Sequence, residues 1–150
     1  MKIGRKTFNI ILFTALLIII IVAGYFVYKN SSKVCIEDKI CFYVEVADTL
    51  NEREKGLSGK QSLEINKGML FIFEKETLSG FWMKDMNFPI DIIWIDKNMR
   101  IIGIEKSPVP CEEGKECPVF YPKRETMYVL EIKSGLSEIY DFKENDSVSF

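Results

Sequence analysis

The chain has 150 residues, with 20 Lys and Arg, 22 Asp and Glu and no His, for a formal net charge of −2 at pH 7. The absence of His excludes Ser-His-Asp and Cys-His catalysis and every mixed Cys/His metal site. From residue 30 onward, 16 basic side chains stand against 22 acidic ones, a net charge of about −6 that does not suit nucleic acid, whose phosphates call for a basic face.

The first predicted element is a run of 22 uncharged residues, Thr7 to Tyr28, dominated by IILFTALLIIIIVAGYFV. At about 1.5 Å per residue, a helix of that length crosses a hydrocarbon core of about 30 Å, so the run reads as a transmembrane helix. Lys2, Arg5 and Lys6 precede it, and the positive-inside tendency keeps that end in the cytoplasm and sends Ser31 onward outside. A cleaved signal peptide is the competing reading, but the run exceeds the roughly 7–15 apolar residues of such a segment and no clear A-x-A site follows. The expected organisation is a cytoplasmic stub and signal anchor over residues 1–29, a linker over 30–33 and one extracytoplasmic domain over 34–150, single-pass in the cell membrane.

Beyond the anchor, four cysteines fall in two local pairs, Cys35 with Cys41 in CIEDKIC and Cys111 with Cys117 in CEEGKEC. Outside a membrane an even count reads first as disulfides. A tetrathiolate metal site is the alternative, and neither pair has the tight two-residue spacing common in zinc knuckles. No metal and no cofactor is expected: the sequence has no P-loop, no G-x-G-x-x-G and no S-x-x-K.

Next comes CFYVEVA, an alternating strand with Phe42, Val44 and Val46 on one face. TLNEREKGL predicts a short helix, since Thr49 and Glu52 form a capping-box pair and Gly56 stands where the helix ends. GMLFIF is a short apolar strand after Gly68; PIDIIWID and RIIGIEK follow as a hairpin around DKNM, then MYVLEIK as a further strand. A second short helix is expected near Ser134 or Ser137. Short strands at close spacing point to a mainly β, antiparallel sandwich or barrel with one or two short helices.

EREKGLSGK, GMLFIF, FWMKDMNFPIDIIWID and VLEIKSG, in that order and spacing, resemble the bacterial and archaeal family catalogued as domain of unknown function 192. The resemblance covers roughly Val44 to Phe150 and implies a jelly-roll-like, mostly antiparallel β fold, often exported or membrane-anchored, with no settled activity. The chain departs from the family pattern at Ser58, where Met is usual, at Lys60, where Arg is usual, and at Asp85, where Asn is usual.

The charged residues Lys84, Asp85 and Asp91 interrupt the aromatic stretch GFWMKDMNFPIDIIWID. Alternation puts Ile90, Ile92 and Trp94 on one face, with Asp91, Ile93 and Ile95 on the other. On one reading Asp91 pairs with Lys84 or Arg53, fixes strand register and caps backbone donors near Pro89. On the other the stretch is a pocket: Trp82 and Met83 as an apolar wall, Lys84 and Arg53 as donors, Asp85 and Asp91 as acceptors, for a small polar ligand such as a sugar or peptide end. A binding or envelope-interaction module ranks above two alternatives, a carboxylate-dependent, glycosidase-like hydrolase using Asp85 and Asp91, and a structural accessory of a membrane complex.

Overall fold

The computed structural model describes residues 5–29, 31–112 and 114–150, with side chains described at 9–22, 32–112 and 114–150. The chain divides into two units, Met1–Ser31 and Ser32–Phe150. In the first, the backbone of α1 (Arg5–Lys29) is helical over 25 residues. Among the described residues no helix is long and apolar enough to cross a membrane. The side chains described on α1 run only from Asn9 to Val22, shorter than the about 20 residues a span takes, so the expected transmembrane segment has no support in the described structure.

In the second unit, β1 (Ser31–Ile36) begins inside the stretch read as a linker and turns into β2 (Ile40–Ala47). The turn is a tight one: Lys39 N donates to Ile36 O at 2.9 Å, and Glu37 and Asp38 both have positive φ, 49° and 55°, as a type I′ hairpin requires. The Cys35–Cys41 disulfide staples this hairpin, and the Cys111–Cys117 disulfide closes the later loop, both as the local pairing predicts.

After β2 come α2 (Leu50–Lys55), β3 (Lys67–Thr77), β4 (Phe81–Trp82), β5 (Ile90–Ile95), β6 (Ile101–Glu105), β7 (Val119–Phe120), β8 (Thr126–Lys133), α3 (Leu136–Ile139) and β9 (Val148–Ser149). Seven strands form one sheet in the order β6-β5-β8-β3-β2-β1-β9, and β4 pairs with β7 as a separate ribbon. The expectation of a wholly antiparallel sheet is corrected at one place, because β2 and β3 run parallel. Parallel neighbours need a crossover of a dozen or more residues, and the segment from Asp48 to Asn66, which holds α2, supplies it.

The sheet curls as a half-barrel, and its two ends meet: Arg100 bridges Ser147, Ile101 N donates to Asp146 O at 3.0 Å, and Val148 N donates to Met99 O at 2.9 Å. Every strand of the sheet sends a residue to the concave face, among them Val34, Val44, Leu70, Ile93, Ile101, Leu130 and Val148. The alternate residues Met69, Phe71, Ile92, Trp94 and Val129 face the other way and form a second apolar cluster with Leu57 and Met83. The strands are therefore buried on both faces, and an acid on either face has to be accounted for.

Candidate functional site

Asp91 is such an acid. It points to the concave face, is 0 % exposed, and pairs with neither Lys84 nor Arg53. Its Oδ2 accepts from Ser137 N at 2.9 Å and Ser137 Oγ at 2.7 Å, while Oδ1 accepts from Ser107 N at 3.0 Å, Gly135 N at 3.2 Å and Ser107 Oγ at 3.4 Å. Gly135, at the N-cap of α3, has no side chain to cap with, so Asp91 supplies the missing acceptor from a neighbouring strand. The sequence-based expectation of a register-fixing ion pair is thus replaced by a carboxylate that ties α3 and the loop after β6 to β5. The same burial removes Asp91 from any cleft shared with Asp85, and the two-carboxylate hydrolase fails on that geometry.

Lys84 and Asp85 lie exposed on the loop after β4. Asp85 has φ 57°, a left-handed conformation that Asn and Asp tolerate best. Their backbone carbonyls accept from Ser58 Oγ and Gly59 N, both at 2.9 Å, and Asn87 Nδ2 donates to Lys60 O at 2.8 Å, so the segment after α2 is sewn to this loop. Lys60 itself is ion-paired with Glu45.

That stitching frames a cavity of about 230 Å³ on the convex face of the sheet. Its floor is Phe71 and Phe73 of β3 with Glu131 of β8, one wall is Arg53, Gly56 and Leu57 at the end of α2, and the other is Phe81, Trp82 and Met86. The position of α2 follows from its caps: Thr49 Oγ1 accepts from Glu52 N, the Glu52 carboxylate accepts from Thr49 N, and Gly56 N donates to Glu52 O at 2.8 Å. The opposite wall packs closely at Gly80, where a Cβ would lie 2.4 Å from Val119 Cγ1 and 2.6 Å from Tyr121 Cε1, so any side chain there has to displace those two. The aromatic rings interlock: Phe71 and Phe81 meet edge-to-face at 5.0 Å, and Phe73 and Phe81 at 6.5 Å.

Beside Glu54, Lys55, Ser58 and Ser79 of the lining, Arg53 and Glu131 are the polar groups set against its rings. The Arg53 guanidinium lies 5.3 Å from the centre of the Phe73 ring, and its Nη1 donates to Ile72 O at 2.9 Å and to Asp48 O. Its Nε and Nη2 donors have no protein acceptor among the described residues. Glu131 is 5 % exposed, between Met69 and Ile92 in the strand register, and no hydrogen bond or ion pair reaches its carboxyl among the described residues. Burial pushes its pKa up to about 8, so near neutral pH the carboxyl is mostly protonated and a hydrogen-bond donor.

Of the residues expected at a pocket, Arg53 and Trp82 line this cavity, and Met83 is buried among the core residues near it. Lys84, Asp85 and Asp91 are not among its lining residues. Glu131 was not singled out from the sequence, although alternation in MYVLEIK places it opposite Leu130 and Ile132, on a strand whose other buried residues are apolar except Thr126.

The sequence profile of the DUF192 family, described as Uncharacterized ACR, matches residues 33–150. A UPF0127 protein of Thermococcus kodakarensis is 27 % identical over 109 residues, covering 71 % of this chain and 64 % of its own length, and one of Thermococcus gammatolerans is 27 % identical over 110 residues, covering 72 % and 66 %. The chain thus spans just under two thirds of the curated relatives it matches. A crystal structure of a protein of unknown function from Novosphingobium aromaticivorans is similar with a TM-score of 0.74 at 28 % identity, covering 80 % of this chain and 85 % of that one. A Sinorhizobium meliloti structure, described as a candidate transcription regulator, has a TM-score of 0.71 at 25 % identity, covering 79 % and 92 %.

Proposed function

Because the chain belongs to the DUF192 family, which is described only as uncharacterised, its role has to be argued from the site, and we propose that the β domain is a binding module for a small ligand. The observation that carries this reading is Glu131: a buried acid without a protein partner, opening into a cavity walled by Phe71, Phe81 and Trp82. Its oxygens are not sealed off but reach the open side of the cavity, so a ligand that pairs with Glu131 takes the place of solvent there. The volume suits one ring with a short side chain, since a cavity of about 150 Å³ already holds benzene. This ligand is smaller and more apolar than a sugar.

The module is held at a membrane by α1, with the β domain outside. Supporting this are the apolar run Thr7 to Tyr28 in the sequence and two disulfides, which persist in oxidising compartments. A role in transcription, suggested by the description of the Sinorhizobium meliloti relative, fits poorly with a net charge of about −6 beyond residue 30.

Backbone NMR during titration with a set of single-ring compounds, short peptides and sugars tests the reading. Amide shifts clustered at Arg53, Gly56, Phe81, Trp82 and Glu131 are expected for a ring compound. If every compound leaves those resonances in place, the cavity is only a packing gap and the binding module is lost.

A further inference from the structure

The charges around the cavity are uneven. Arg53, Glu54 and Lys55 come from α2; β3 offers only Phe71 and Phe73, the segment from Ser79 to Met86 lines the cavity with no charged side chain, and the neighbours of Glu131 in the sheet are Met69 and Ile92. With the Glu131 carboxyl in its acid form the lining carries one positive charge in excess, on a domain that is otherwise acidic. The free Nε and Nη2 donors of Arg53 lie on one wall, and a guanidinium matches a carboxylate fork to fork.

We propose that the cavity takes an aromatic monocarboxylate: a single ring over Phe71, Phe81 and Trp82, with its carboxylate paired to the free donors of Arg53 and its edge beside Glu131. The inference rests on the binding reading above and adds the charge of the ligand. A cationic ligand would meet the Arg53 guanidinium already stacked on Phe73, whereas an anion completes it. The acid form of Glu131 donates to an anion and its ionised form repels one, so the two protonation states differ in affinity.

Three isosteric probes test this on the full-length protein by calorimetry at pH 7 and pH 9: phenylacetate, phenylacetamide and 2-phenylethylamine. Phenylacetate is expected to bind at least about fivefold more tightly than either of the others at pH 7, as a charge-assisted hydrogen bond is the stronger one. With a carboxyl of pKa about 8 the acid fraction falls about tenfold between the two pH values, and the phenylacetate Kd rises by the same factor. Glu131→Gln keeps a neutral donor and removes the titration, so its Kd for phenylacetate stays flat over that range. Equal binding of phenylacetate and phenylacetamide overturns the proposal. So does tighter binding of 2-phenylethylamine, improving toward pH 9, although this leaves the pocket itself standing. No binding by any of the three also overturns it, and the NMR titration then decides whether the pocket falls with it. The comparison of probes on the unmutated protein does not depend on how well Glu131→Gln folds.

Discussion

At the scale of single residues, two buried acids on opposite faces of the sheet have opposite consequences. Asp91 is fully engaged, so its loss strands the backbone N–H groups of Ser107, Gly135 and Ser137. Asp91→Ala is expected to cost at least about 3 kcal/mol in denaturant unfolding, whereas Lys84→Ala, at an exposed site, should stay within about 0.5 kcal/mol. Equal costs at the two positions would refute the anchoring role of Asp91. Glu131 is unengaged, and its effect is on pH dependence. Its folded pKa of about 8 lies above the ordinary value of 4.5, so the folded state holds a proton that the unfolded chain has released. The stability from that proton is full below about pH 4.5, declines as pH rises and is gone above about pH 8, a total on the order of 4–5 kcal/mol. Glu131→Gln should abolish this decline and be more stable than the parent at pH 9. Parallel pH profiles for the two proteins would show that the carboxyl is not desolvated.

At the scale of elements, the cavity is as good as the two short pieces that wall it. Thr49→Ala removes the capping box of α2 and should cost about 1 kcal/mol, with ligand affinity reduced because Arg53 loses its fixed position. Gly80→Ala forces a Cβ into Val119 and Tyr121 and should separate β4 from β7, moving Phe81 and Trp82 together. Its signature is a loss of binding larger than the loss of stability, read by titration beside thermal unfolding; loss of stability alone would mean that the ribbon is not a wall of the site. The elements themselves were unequally legible. Alternation and capping signals disclosed β2, α2, the β5–β6 hairpin and β8, because those signals lie within one segment. The two-residue strands β4, β7 and β9 are too short to show a period, and the parallel pairing of β2 with β3 depends on contacts that no local pattern encodes. The site was half legible for the same reason. Asp91 stood out as an acid on an apolar face, but its partners lie 16 to 46 residues along the chain. Glu131 gave no signal in the sequence, because nothing local says that α2 and β4 wall a cavity over it.

At the scale of the whole molecule, the proposed placement of the β domain outside a membrane rests on charge and redox chemistry. Under that proposal, the basic residues before Thr7 would keep the N-terminus in the cytoplasm, and the domain beyond the apolar run would meet an oxidising milieu in which Cys35–Cys41 and Cys111–Cys117 stay closed. Each bridge closes a loop of few residues, a stabilisation of about 2 kcal/mol on the chain-entropy estimate, so a cytoplasmic domain would lose both contributions at once. The proposed arrangement is tested with a tag at each end of the chain. In spheroplasts, added protease should remove a C-terminal tag while leaving an N-terminal tag intact, and non-reducing peptide maps of the recovered domain should contain the two local bridges and no free thiol. Protection of the C-terminal tag in intact spheroplasts, with its loss only on lysis, would place the domain inside. Four reactive thiols in that material would show that the bridges do not form in the cell, and the outward orientation would then have to be given up.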